Sequence, residues 1–247
     1  MNKRFNQLTK ISLVLIYLVI IAGAIVRMTG SGMGCPDWPK CFGYYIPPTE
    51  ESQLIFKSFH NYNKGEMILL NSENFYTAIK DFKSEELINL SNWNLFQKHD
   101  YVAYDPVHTW IEYINRLIGA LAGIPILLFT LISIYYWKDY KYLSIISLLT
   151  VLGMGFQAWL GKTVVDSNLA PYKITIHMLM ALVIVGLILL LIVQTKKANI
   201  LENKLFKNLI IISILLTLVQ VVIGTQVREF VDEQVKLIGY DLSLIHI

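Results

Sequence analysis

Of the 247 residues, 55% are hydrophobic and 16% charged, whereas soluble domains carry about 25% charged residues; this is a membrane composition. A net charge of +3, without basic clusters interleaved with aromatics, gives no case for a nucleic-acid partner. Two cysteines permit one disulfide, provided they face an oxidising compartment.

The predicted fold is all-α and polytopic. Residues 11–26 with a few flanking residues, 110–137, 142–165, 174–193 and 209–227 each approach the roughly 20 apolar residues that a spanning helix needs. Glu112, Asn115 and Arg116 interrupt the first two turns of the second run. Residues 1–194 then form a first four-helix transmembrane bundle, with a long outer loop at 43–107. Residues 195–247 hold a cytoplasmic linker, a fifth helix and a tail. The first run also fits a cleaved signal peptide, with Asn2, Lys3 and Arg4 as basic start and Ala22, Gly23 and Ala24 at the cleavage site. An internal repeat favours retention. Gln157, Leu160, Gly161 and Val164 are matched in spacing by Gln220, Ile223, Gly224 and Val227, and Gly23, Val26 and Arg27 by Gly224, Val227 and Arg228. Duplicated halves have this property.

Lys3, Arg4 and Lys10, then Lys138 and Lys141, then Lys196, Lys197, Lys204 and Lys207 fall on one side if all five runs span. The positive-inside rule makes that side cytoplasmic. The expected location is the cell (inner) membrane, with the N-terminus inside and Cys35 and Cys41 outside.

Both cysteines lie in residues 27–43, R-M-T-G-S-G-M-G-C-P-D-W-P-K-C-F-G, where glycines and prolines leave no room for helix or strand. The Cys-x5-Cys spacing is not that of a zinc site. A structural disulfide and a redox-active pair both remain open. The loop that follows is longer than a plain connector. Its helix-forming patch at 75–90 suggests a small folded cap, acting as lid or tether.

Ionisable residues within spans are costly and mark function. Here Arg27, Glu112, Arg116, Lys162, His177 and Arg228 gather at the outer helix ends. Glu112 and Arg116 are one turn apart and able to pair; the bland alternative is an interfacial salt bridge with snorkelling cations. Four cations on the side the charge rule depletes call for anions, which a cofactor bearing carboxylates supplies. His177 is either a hydrogen-bonded packing residue or a haem ligand. A haem between helices would use His177 for its iron, the outer cations for its propionates, and Trp110, Tyr113, Phe156 and Trp159 as walls.

Residues 27–41, 111–116 (I-E-Y-I-N-R), Gln157 to Val164, and Thr175, His177 and Met178 together resemble haem A synthase. That family is similar to a pair of four-helix bundles. The resemblance implies oxidation of a ring methyl of haem O to a formyl, giving haem A for terminal oxidases. It implies an outer-loop disulfide of Cys35 and Cys41, Glu112 as the acidic residue of an E-Y-x-H-R motif, and His177 as a haem-iron ligand. Arg27 and Arg116 would hold propionates, with Lys162 and Arg228 as further cations. Asn115 stands where the family places a second axial histidine, so His177 binds alone, or His108, His60 or His99 supplies the other ligand. The family's second bundle, with its b-type haem, has no counterpart after the fifth helix. Residues 242–247 resemble translated adaptor sequence, so a truncated record is expected and His246 has no role. Implied partners are haem O and its synthase, the assembling terminal oxidase, membrane lipid and a second copy of the chain. Rival readings are a thiol–disulfide carrier using Cys35 and Cys41 with a quinone acceptor, and half of a transporter, whose mid-membrane charge and broken helices are not seen.

Overall fold

A computed structural model describes residues 3–70, 74–97, 104–196 and 204–238. Five α-helices account for most of it: α1 (Lys3–Met28), α2 (Pro106–Tyr135), α3 (Lys141–Asp166), α4 (Pro171–Lys196) and α5 (Lys204–Ile238). All five are long and apolar enough to cross a membrane, as the apolar runs predict. Each outruns its predicted stretch at its N-terminal end, because polar residues outside the apolar run still satisfy the backbone ladder. The α2 start shows how: Asp105 caps it, its carboxylate accepting from the Val107 and His108 amides at 2.7 and 3.0 Å. Those bonds hold the exposed carboxyl below its usual pKa range.

The chain divides into two compact units, each with its own packing. The first comprises Met1–Leu13, Pro125–Gly161 and Ala170–Ile247. Here small hydroxyl residues let α2 and α3 approach closely. Thr130 donates to the Ser147 carbonyl at 3.1 Å and Ser144 to the Ser133 carbonyl at 2.6 Å, all four being buried. Phe5 packs edge-on against Phe129 at 5.6 Å.

The second unit comprises Val14–Ile124 and Lys162–Leu169. Between α1 and α2 it carries a β cap. Strands β2 (Met67–Leu70), β3 (Asn74–Ala78) and β5 (Trp93–Leu95) form an antiparallel sheet in the order β2-β3-β5; β1 (Asn61–Tyr62) pairs with β4 (Phe82–Lys83). This corrects the helical expectation for residues 75–90. Asn74–Ala78 holds two adjacent aromatics and a Thr, residue types well suited to a pleated, half-buried surface. Its register sets Phe75 opposite Leu69 and Tyr76 opposite Ile68. Side chains therefore sort by alternation: Met67, Leu69 and Phe75 join Cys35, Cys41, Phe42 and Leu54, while Ile68, Leu70, Tyr76 and Ala78 join Tyr62 and Trp93. The disulfide loop is thus part of the cap's core.

Candidate functional site

α1 ends at Met28, so Arg27 is still helical, and Ser31–Met33 make one 3-10 turn before the cysteine loop. The chain then runs against α2 at Gly34. A Cβ there would lie 2.4 Å from the His108 carbonyl oxygen and 2.8 Å from the Thr109 nitrogen, so only glycine passes. The buried Thr109 hydroxyl donates to the Gly34 carbonyl at 2.9 Å.

Thr109, Glu112 and Arg116 lie three, then four residues apart and share a face of α2. That face grips the Cys35–Cys41 loop, which is closed by the disulfide with a Cα–Cα distance of 4.7 Å. The Cys35 amide donates to one Glu112 carboxylate oxygen at 2.8 Å, and Arg116 donates to the other. The same guanidinium donates to the carbonyls of Asp37 (2.7 Å), Lys40 (3.0 Å) and Cys35 (3.1 Å). Both oxygens of a carboxylate only 4% exposed are therefore held. Arg116, reserved by the sequence reading for a propionate, is engaged by four acceptors that close the loop over Glu112.

The far side of the loop is fixed as firmly. Cys41 and Tyr44 exchange backbone bonds at 2.9 and 3.1 Å. Gly43 has φ 82° and sits where a Cβ would be 2.2 Å from the Gly65 carbonyl oxygen. Its amide donates to the Asp37 carboxylate at 2.9 Å. Burial pushes the Asp37 carboxyl above the ordinary value of 3.8, against hydrogen bonds and the Arg116 charge that pull it down. A carboxyl raised on folding favours the fold while protonated. Its contribution is therefore fully present below that ordinary value and lost as pH rises through the folded pKa. Asp37→Asn should flatten this dependence and leave neutral-pH stability undiminished, as measured by thermal unfolding from acid to neutral pH.

The other predicted residues fall as follows. His177, on α4, has its carbonyl and ring nitrogen Nε2 at 3.0 and 3.4 Å from the Gln157 amide nitrogen of α3, while its Nδ1 is buried without a partner among the described residues. Thr175, two residues earlier, donates to Thr225 of α5 at 2.8 Å. Lys162 is ion-paired with Asp166 on its own helix. Arg27 is half-buried in the last turn of α1, and Arg228 is exposed on α5. Asn115 faces α1, its buried side-chain oxygen 3.8 Å from where a Gly23 Cβ would sit. His108 is exposed in the first turn of α2, and His60 is exposed in the cap, edge-on to Tyr62 at 4.8 Å. His99 and His246 lie outside the described residues. Trp110 and Tyr113 pack together on α2 at 5.6 Å, and Phe156 stacks on Trp159 on α3 at 5.4 Å. Sequence reasoning missed Thr109, Asp37 and the contact of Gln157 with His177. Helical spacing from Glu112 points to Thr109; nothing comparable marks Asp37.

A family model described as cytochrome oxidase assembly protein, COX15-CtaA, matches residues 6–82 and 93–235. Among curated proteins, the chain is 26% identical over 200 residues to "Heme A synthase" of Shewanella oneidensis, covering 81% of this chain and 48% of that protein. It is 31% identical over 224 residues to "Heme A synthase" of Orientia tsutsugamushi (strain Boryong), covering 81% and 54%. "Heme A synthase" of Ehrlichia canis is 26% identical over 220 residues, covering 86% and 56%. The chain thus spans about half the length of the curated relatives it matches. No solved structure matches it. With nearly the whole chain matched by the family model, the loop pinned on α2 is that of a multi-pass membrane protein belonging to the COX15-CtaA family of cytochrome oxidase assembly proteins.

Proposed function

We propose that the chain carries a substrate site of a haem A synthase, oxidising a ring methyl of haem O to a formyl group. The observation that carries this reading is Glu112: a buried carboxylate in the first turns of a spanning helix, held by the Cys35 amide and Arg116. Such a group is costly to bury and worth keeping only for chemistry or a tightly defined structure. Its proposed role is to take a proton, or to stabilise cationic character, at the reacting edge. The backbone donor and the guanidinium fix its orientation, and a general base must be held within reach of the proton it takes.

His177 is the proposed ligand to the haem iron. The residues present fit that group. The imidazole has a buried nitrogen, Nδ1, without a hydrogen-bond partner among the described residues, and Gly161 lies beside the ring, where a Cβ would stand 3.4 Å from His177 Cε1. Bound haem supplies the iron redox chemistry. Arg27, Lys162 and Arg228 are proposed as cations for carboxylate groups. Cys35 and Cys41, 0% and 1% exposed, favour a disulfide that shapes the loop over one that exchanges electrons, because exchange needs an accessible sulfur. The lysine distribution supports a cytoplasmic N-terminus in the cell membrane, with the cysteine loop outside. Haem O, its synthase and the assembling oxidase are the proposed partners.

Cells that make haem O but no haem A, supplied with the full-length protein, should yield haem A on extraction. Haem O alone, with the protein present in the membrane, contradicts the proposal. Replacing both cysteines by serine should lower the yield several-fold without abolishing it and reduce thermal stability by about 2–4 kcal/mol. Complete loss of product in a protein that still inserts and unfolds cooperatively would instead give the sulfurs a redox role.

A further inference from the structure

The cysteine loop runs beside the first turns of α2 rather than beyond its end. Gly34 touches the helix at His108 and Thr109. Arg116, about 12 Å further along the helix axis, takes the carbonyls of Asp37 and Lys40. With 30 residues α2 is about 45 Å long, the thickness of a bilayer with its headgroup layers. Its first turns, and the loop packed on them, therefore lie at an interfacial level. Irregular backbone is tolerated within a bilayer only where protein satisfies its polar groups. The loop meets that condition. Thr109 holds the Gly34 carbonyl, Arg116 those of Cys35, Asp37 and Lys40, and the Met67 amide that of Phe42. The Cys35 amide donates to Glu112 and the Gly43 amide to Asp37, while Cys41 and Tyr44 satisfy each other. Pro36 and Pro39 have no amide to satisfy.

Three apolar or amphipathic side chains of the same loop are nevertheless left open: Trp38 is 38% exposed, Tyr45 76% and Ile46 71%. They are held outward by a fixed frame. Phe42, Pro47 and Pro48 are buried, and the Tyr104 hydroxyl donates to the Pro48 carbonyl at 2.9 Å. Lys40, the one charged side chain between Asp37 and Glu50, lies 5.0 Å over the Tyr45 ring. We propose that the disulfide loop is seated in the phospholipid interface, with Trp38, Tyr45 and Ile46 against lipid and the Lys40 ammonium among the phosphates. Trp and Tyr suit that level because an apolar ring and a polar tip match its two sides. Ile46 has no polar atom and belongs with the acyl chains. Lys40 lays its stem on a ring and keeps its charge at the headgroups. The seat fixes the height of the loop that closes over Glu112.

The test uses wild-type full-length protein in phosphatidylcholine vesicles containing a phospholipid with a photoreactive group at the headgroup end of its chain. After irradiation, mass spectrometry should find lipid adducts on Trp38, Tyr45 and Ile46, as on Ile25 and Leu117, exposed residues of α1 and α2. Adducts on Ile25 and Leu117 with none in residues 38–46 overturn the proposal. In vesicles that also hold phosphatidylglycerol, Lys40→Glu should lower the adduct yield at Tyr45 and Ile46 and leave that at Ile25 unchanged. An unchanged yield at all three overturns the placing of Lys40 among phosphates. As a second measurement, an environment-sensitive fluorescent amino acid replaces Tyr45. Its emission should lie to the blue of the free fluorophore and be quenched by lipids brominated near the headgroup more strongly than by aqueous iodide. Unshifted emission with full iodide quenching puts the loop in water and overturns the proposal. Protection from both quenchers, which a covering protein, a second copy of the chain or bound haem would give, overturns it as well.

Discussion

Glu112→Ala should abolish haem A formation and destabilise the protein by about 3–5 kcal/mol, the usual cost of removing one partner from a buried ion pair. The magnitude follows from what is left behind. Arg116, 15% exposed at its side chain, would keep neutral carbonyls as its hydrogen-bond partners beside the Asp37 charge, and the Cys35 amide would lose its acceptor. Glu112→Gln separates the two effects. The amide has nearly the same shape and can still accept from Cys35, so most of the packing survives. Its oxygen is too weak a base to take a proton, so product formation should still fall by about 100-fold or more. Thermal unfolding together with haem extraction checks both variants.

Gly34→Ala should undock the cysteine loop from α2. The added carbon would stand 2.4 Å from the His108 oxygen and 2.5 Å from its carbonyl carbon, both of them helix backbone that has no rotamer to turn away. Overpacking normally costs about 1–3 kcal/mol, and a clash with backbone on one side and a closed disulfide ring on the other belongs at or above the top of that range. The Thr109 bond to the Gly34 carbonyl and the Cys35 bond to Glu112 flank the clash, so both should lengthen or break. The expected result is faster proteolysis within residues 29–45, with α-helix content by circular dichroism unchanged. A loop as resistant as wild type would show that Gly34 is not the contact the fold depends on.

Much of this was legible in the residues themselves. The five helices follow from runs of apolar residues, because a bilayer demands length and hydrophobicity from each span independently. The pairing of Glu112 with Arg116 follows from their spacing on one helix face. The cap was not legible: residues 75–90 contain good helix formers, and the aromatics and Thr of Asn74–Ala78 gain meaning only once β2 and β5 are set beside them. The other partners of Arg116 were hidden for a similar reason. They are backbone carbonyls 76 to 81 residues away, and a carbonyl leaves no mark on a sequence. Gly34 and Gly43 could be read as turn formers, yet each also allows a close backbone approach that no pattern announces.

The most direct test of the central proposal, that Glu112 beneath the cysteine loop takes a proton or stabilises cationic character in haem O oxidation, is extraction of haem from cells producing haem O and the full-length protein. Wild type should yield haem A, and Glu112→Gln, present in the membrane at an equal level, should leave haem O unconverted. Equal haem A from both proteins contradicts the account.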